Sequence, residues 1–171
     1  MHIRQATIED FTGLENLINL AYRSGGGWTH EAHIVQGPRI SQGHIQAQFH
    51  LPGSVFLVAE DQHLLGCVYV QHLLERPGCA EIGTFAVQPG LQGHGLGNAL
   101  LQAAEDFARQ QWQVHTCCIW VVAGQNSLLD FYRRRGYVEN QQHMPYPLDA
   151  GVGQPLQGNI ELVGLEKVCF K

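Results

Sequence analysis

The chain has 171 residues, enough for one domain with a sizeable core, and at 44% hydrophobic and 15% charged residues it is too apolar for wholesale disorder. Ten Lys and Arg against fifteen Asp and Glu leave a net charge of −5. The only basic run is Arg133-Arg134-Arg135, which argues against a surface that tracks nucleic-acid phosphates. No stretch approaches the roughly 20 apolar residues of a membrane span. The start, MHIRQATIED, lacks the apolar segment of a secretory signal. The five cysteines are odd in number, two are adjacent and none forms a CxxC pair, so they read as reduced core thiols. A cytoplasmic setting is therefore expected. His30 and His33 have no thiolate or carboxylate partners in register, so no metal site is expected.

In chain order, a short strand over about 1–6 comes first. Thr7 then caps a helix, with Asp10 in capping-box position and Phe11, Leu14, Leu17, Ile18, Ala21 and Tyr22 on one face. The glycine-rich stretch from residue 23 to residue 40 breaks that helix, and Ser41 caps a shorter one through Phe49. SVFLVAE, LLGCVYVQH and AEIGTFAV are three strands separated by DQH and RPG turns. QPGLQGHGLGNALL follows and opens a helix to about residue 111. HTCCIWVVA is apolar on both faces, as a central buried strand requires. NSLLDFYRRRGY is a helix stopped by Gly136, and YVEN starts a strand. A Pro/Gly-rich excursion over 143–158 leads to a last strand, NIELVGLEKVCF. The order β-α-α-β-β-β-α-β-α-β-β describes an α/β (α+β) fold, and no linker divides residues 1–171 into two domains.

The segment from residue 88 to residue 105 crowds four glycines into eight positions just before helical spacing begins. A helix start presents main-chain N–H groups without partners and about half a positive charge. Phosphate satisfies both, and glycine lets it approach bare backbone. Gln92, Gly93, His94, Gly95, Leu96 and Gly97 are the residues that would wrap the anion. A Walker loop needs Lys-Ser/Thr after its last glycine and finds Asn98-Ala99; a dinucleotide fingerprint read from Gly93 needs a small residue at Asn98. A plain loop before a helix is the other reading.

FAVQPGLQGHGLGNALL resembles the pyrophosphate-binding motif Gln/Arg-x-x-Gly-x-Gly/Ala of the GNAT superfamily of acyl-CoA-dependent N-acyltransferases, and NSLLDFYRRRGY resembles that family's Asn…Phe-Tyr…Gly-Phe/Tyr signature. The element order fits over nearly the whole chain. The resemblance implies a mixed central sheet of about six to seven strands, helices on both faces, and two neighbouring parallel strands, EIGTFAV and HTCCIWVV, splayed into a V. It implies acetyl-CoA as cosubstrate. The backbone at Phe85, Ala86 and Val87 would pair with the pantetheine arm, the amides of residues 92–97 would hold the pyrophosphate, and Asn126 would bond the pantetheine. Tyr132 would stand by the sulfur as proton donor, and the Val87 N–H would face the oxyanion. The implied reaction is direct acetyl transfer to a primary amine, of a small molecule in the first reading. The alternatives are a protein N-terminus or lysine, or a catalytically idle acyl-CoA-sensing domain. A homodimer is compatible with the family.

Each candidate also has a plainer reading. Tyr132 is a core tyrosine beside Phe131, and Asn126 a helix N-cap. Glu81 is either a general base acting through water or an exposed strand residue, with Glu31 as a rival base. Trp28, Glu31 and Tyr146 lie in the two loops that border the acceptor pocket in the family; Trp28 equally suits a hydrophobic plug. Arg133, Arg134 and Arg135 read first as solvated partners of a helix C-terminus.

Overall fold

The seven predicted strands form one sheet, and helices pack on both of its faces. The computed structural model describes residues 1–27 and 29–169, so Trp28 lies outside the described residues. The elements are β1 (His2–Gln5), α1 (Phe11–Arg23), β2 (Val35–Gln36), α2 (Gln42–Phe49), β3 (Ser54–Glu60), β4 (Leu64–His72), β5 (Cys79–Val87), α3 (Leu96–Trp112), β6 (Thr116–Val122), α4 (Asn126–Arg133), β7 (Val138–Pro145), β8 (Gln154–Pro155) and β9 (Glu161–Val168). The main sheet runs β1-β3-β4-β5-β6-β9-β7, and every pairing is antiparallel except β5 with β6.

Strand periodicity divides the core in two. Val68, Val70, Ala80, Ile82, Phe85 and Ile119 face α3 and α4, packing with Leu100, Leu101, Ala104 and Phe131. Phe56, Val58, Cys67, Tyr69 and Ala86 face α1 and α2, packing with Leu14, Leu17, Ile18 and Ile45. Helix α3 presses onto β4 at Gly66, where an added Cβ would stand 2.7 Å from Leu100 Cδ1. Helix α3 is tied to β9 through the buried Glu105, which accepts from Lys167 Nζ at 2.6 Å and from Tyr137 Oη at 2.9 Å. Four of the five cysteines are buried, and all five are free thiols.

Thr7 and Asp10 form the expected capping box, with Asp10 accepting the Thr7 N–H at 2.7 Å and also binding Arg4; the helix opens as a 3-10 turn, Ile8–Asp10, that runs into α1. The structure departs from the sequence reading in two places. Strand β7 does not stop at Asn140. It continues to Pro145 across a bulge between Glu139 and His143, where Gln141 sits at φ 62°. Strands β2 and β8 form a two-stranded ladder that joins the first glycine-rich loop to the late excursion. Two-residue strands carry no periodicity, and Gly153 at φ 103° leaves no room for a Cβ beside the Gln36 carbonyl.

Arg4 bridges Asp10 and Glu60, and this pairing holds the Asp10 carboxyl below its ordinary pKa, with burial opposing it. A depressed carboxylate adds stability above its unfolded pKa and loses it as pH falls through the folded value. Asp10→Asn is therefore expected to lower the unfolding free energy by about 1–2 kcal/mol at pH 7. The difference should close in urea titrations run below the ordinary carboxylate range.

Candidate active site

Strands β5 and β6 stay paired only from 79↔116 to 82↔119 and then diverge. A bulge just above that point helps to force them apart. The register of β5 on β4 slips between Gly83 and Ala86, and Thr84 takes φ 43°, a left-handed conformation costly for a β-branched residue. Above the bulge, the Gln88 N–H donates back to the Leu65 carbonyl at 2.9 Å. Strand groups alternate in direction, so the N–H and C=O of Val87 face the opening. Two side chains cap carbonyls there: Tyr22 Oη donates to the Phe85 carbonyl at 3.1 Å and Gln92 Nε2 to that of Val87 at 3.3 Å. Phe85, Ala86 and Val87 are themselves buried.

The chain leaves β5 through a 3-10 turn, Pro89–Leu91, and enters α3 across Gly93 and Gly95, at φ 84° and 85°. Gly95 is the N-cap and contributes no side chain. The Ala99 N–H reaches the Gly95 carbonyl at 3.0 Å, but among the described residues no main-chain N–H from 93 to 98 has an acceptor. Among the described residues a Cβ on Gly93 or Gly95 would meet nothing within 4 Å; one on Gly97 would touch Phe85 and Phe131, each at 3.6 Å. Left-handed glycines thus turn the amides outward, and a glycine at 97 keeps the aromatic wall clear. They border a cavity of about 270 Å³, walled by Thr29, Phe85, Val87, Leu128, Phe131, Arg134 and Arg135, with Gln92, Gly93, Gly95, Gly97 and Asn98 at its rim. Leu96 gives only its backbone, its side chain being in the core. His94 is exposed and folds back on its own loop, Nδ1 lying 3.1 Å from the Gln92 carbonyl.

The arginines separate. Arg133 is paired with Asp130 at 2.9 Å and with Glu139, as its exposed position suggests. Arg134 is exposed as expected and also borders the cavity; Arg135, expected to be solvated, is half-buried in the cavity wall. Arg135 is fixed there: Nε donates to Asn98 Oδ1 at 3.0 Å, an Nη donates to the Phe131 carbonyl at 2.8 Å, and the guanidinium carbon lies 3.6 Å from the Phe131 ring centre. Asn98 thus holds a cation beside the α3 N-terminus.

Tyr132 is 3% exposed and packs among Phe85, Phe131 and Tyr137. Burial raises its pKa far above the ordinary tyrosine value, so it is a neutral donor at any working pH. Tyr22 comes from α1 to the same opening, and burial pushes it up to about 12. Its position in the helix pattern marked it only as an apolar-face residue; its contact with β5 spans 63 residues and has no local signal.

The face of the sheet turned toward α1 and α2 carries Glu81, opposite Gln71 on β4 and Cys118 on β6. Burial raises the Glu81 pKa, and the Trp120 indole N–H partly offsets this. Glu31 is buried and paired with Arg23 at 2.9 Å, while Arg23 also donates to the carbonyls of Gly37 and Val152. That carboxylate is committed to joining the two loops. Tyr146 is buried with Val35 and Val122, and its hydroxyl donates to the Val152 carbonyl at 2.9 Å, so it anchors the excursion. Asn126 is the first residue of α4 rather than its N-cap, which is Gln125; its side chain is exposed and bonds to no described residue. Gln125 instead donates to the His30 carbonyl at 3.1 Å, tying the α4 start to the first glycine-rich loop.

Among solved structures the fold has close counterparts. yncA from Salmonella typhimurium, determined with its cofactor acetyl-CoA, superposes with a TM-score of 0.73 at 21% identity, covering 100% of this chain and 95% of that one. A ribosomal-protein-alanine N-acetyltransferase from Brucella melitensis gives 0.73 at 20% identity over 98% and 99%. A spermidine N-acetyltransferase from Vibrio cholerae gives 0.68 at 18% over 99% and 95%. Comparison by sequence with curated proteins finds no match. The family model described as the Acetyltransferase (GNAT) family matches residues 13–137, a span holding the splayed strands, the glycine turn and α4. The chain therefore belongs to the GNAT acetyltransferase family.

Proposed function

We propose that the protein is a single-domain N-acetyltransferase that moves the acetyl group of acetyl-CoA directly to a primary amine of a small molecule. The observation that carries this is the run of outward amides at 93–98 without acceptors, bordering a glycine-rimmed cavity that opens onto the β5/β6 split. These residues fit a diphosphate: the amides supply donors, the α3 N-terminus supplies partial charge, and Arg134 and Arg135 supply full cations. Of the edge Phe85, Ala86 and Val87, the Val87 main chain faces the split and suits an amide of a pantetheine arm; Ala86 is in register with Cys67 of β4, and the Phe85 and Val87 carbonyls already accept from Tyr22 and Gln92, while the exposed Asn126 offers a further polar partner. A bound thioester supplies an activated acyl carbonyl.

The protein's own groups then divide the work. The Val87 N–H steadies the oxygen on which charge gathers. An alkyl amine has a pKa of about 10.4 and attacks only when neutral, so Glu81 receives its proton through water on the α1/α2 face of the sheet. Tyr132, neutral and buried, donates to the departing sulfur. The acceptor types named for the neighbours include spermidine and a protein alanine. A net charge of −5 and a carboxylate at the sheet centre favour a small cationic amine here.

Titration calorimetry with acetyl-CoA, followed by thiol release with 1,4-diaminobutane, a lysine peptide and a peptide with a free N-terminus, tests this. Binding is expected, with fastest release for the small amine. Tyr132→Phe should lower kcat about 100-fold while affinity for acetyl-CoA stays within about twofold. Intact binding with background release across every amine would overturn the enzymatic reading in favour of an acyl-CoA sensor.

A further inference from the structure

A glycine in the interior of a central strand loses packing and adds unfolded-state entropy, so its presence asks for a reason. Gly83 lies on β5, the middle strand of seven. Among the described residues a Cβ there would meet nothing within 4 Å, so none of them requires it to be glycine, and its φ is not in the left-handed region. The surrounding row across the sheet is Tyr69 on β4, Gly83, then Trp120 at the next level of β6, and Gly164 on β9. Trp120 leans over Gly164, with Cζ3 3.2 Å from the place of a Cβ, and its N–H turns toward Glu81. Tyr69 is buried, and among the described residues its hydroxyl makes no well-formed hydrogen bond, with the Ser54 side chain close to it. Glu81, Gly83 and Trp120 all reach solvent although they sit in the middle of the sheet, where side chains are normally covered.

Among the described residues these observations outline a partly open trough floored by Gly83, with the paired Tyr69 strand on one side, Trp120 on the other just past the point where β5 and β6 part, Glu81 at one end and the split at the other. We propose that Gly83 sets acceptor specificity: the trough admits a primary amine at the end of an unbranched aliphatic chain and rejects an amine on a branched carbon. This rests on the acetyl-transfer reading and narrows its acceptor. A methylene chain passes over a glycine between two ring-bearing strands; a branch at the amine carbon, as in an α-amino group, needs the width that those strands occupy.

Gly83→Val tests the trough, because valine suits a strand and its Cβ has space. Melting temperature and acetyl-CoA affinity should match the wild type, which keeps the result separate from the fate of the coenzyme site. For the wild type, kcat/KM with 1,4-diaminobutane should exceed that with alaninamide at least tenfold. Gly83→Val should lower the diamine value about 30-fold, mainly through KM, and Gly83→Ala should fall between. An unchanged diamine KM in a folded Gly83→Val that still binds acetyl-CoA would overturn the trough alone. A wild-type preference for alaninamide would do the same. Failure of the wild type to bind acetyl-CoA or turn over any amine would remove both readings.

Discussion

Gly95→Glu is expected to weaken acetyl-CoA binding about 1000-fold, the loss of two or three charge-assisted hydrogen bonds at about 1.5–3 kcal/mol each. Gly95 sits at φ 85° as the N-cap of α3, and no described residue lies within 4 Å of the place of a Cβ. A glutamate there meets no steric neighbour among the described residues. It does meet two other obstacles: a left-handed backbone that an L-residue resists, and its own carboxylate in the space the amides of 93–98 offer to an anion. The carboxylate would take those N–H groups for itself and repel a diphosphate. Gly90→Ala is the control. Gly90 also has nothing within 4 Å but no positive φ, and it lies in the preceding turn. Calorimetry should show its affinity within about twofold of wild type. Equal affinity in Gly95→Glu and wild type would place the diphosphate elsewhere.

Glu81→Gln should reduce kcat about 1000-fold, within the range for a lost general base, while acetyl-CoA affinity stays unchanged. The pH profile carries the sharper test. Burial holds the Glu81 pKa above the ordinary carboxylate value, against the pull of the Trp120 N–H. A base works only when ionised, so the wild-type rate should fall as pH drops through that raised value. The glutamine variant should lose this limb and keep only the ionisation of the amine itself. Stability runs the other way. A carboxyl whose folded pKa is raised favours the folded state below its unfolded pKa and loses that contribution as pH rises through the folded one. At pH 8 the native protein therefore carries the cost of a poorly solvated carboxylate, and Glu81→Gln should melt at the same temperature or higher. A variant that is inactive yet at least as stable separates chemistry from folding. An active one, with the acid limb intact, would assign the proton to another group.

Elements with a local cause were legible in the chain itself. Ser41 caps α2 because its hydroxyl accepts the His44 N–H three residues on, at 3.3 Å. Gly136 stops α4 with φ 89°, and the Gly136 N–H returns to the Arg133 carbonyl. The glycines before Leu96 announce the cradle because only a side-chain-free backbone there can turn amides outward next to a helix start. Strand alternation and helical spacing assign β3 to β6, α1 and α3 to their faces, since burial of one face repeats at 2 or 3.6 residues whatever the partner is.

The rest depends on contacts between residues far apart in sequence, which no local period records. The arginine triplet shows this well: three like residues in a row share one composition, yet one pairs with Glu139 and another is drawn by Asn98, 37 residues earlier, to the cavity wall. Tyr22 reads as core in its own helix and becomes a hydrogen-bond donor to β5 only when α1 docks. Glu31 pairs with Arg23, eight residues earlier, only because the first loop folds back on α1, and the β2/β8 ladder exists only because two loops meet. By itself, then, the sequence determined the layered fold and the glycine-opened start of α3, because both follow from spacing and from the conformations glycine allows. Tertiary packing alone decided how far β5 and β6 part, which cations face the cavity, and that Glu81, Gly83 and Trp120 share a partly covered face, because each of those is set by which distant side chains come to occupy the same space.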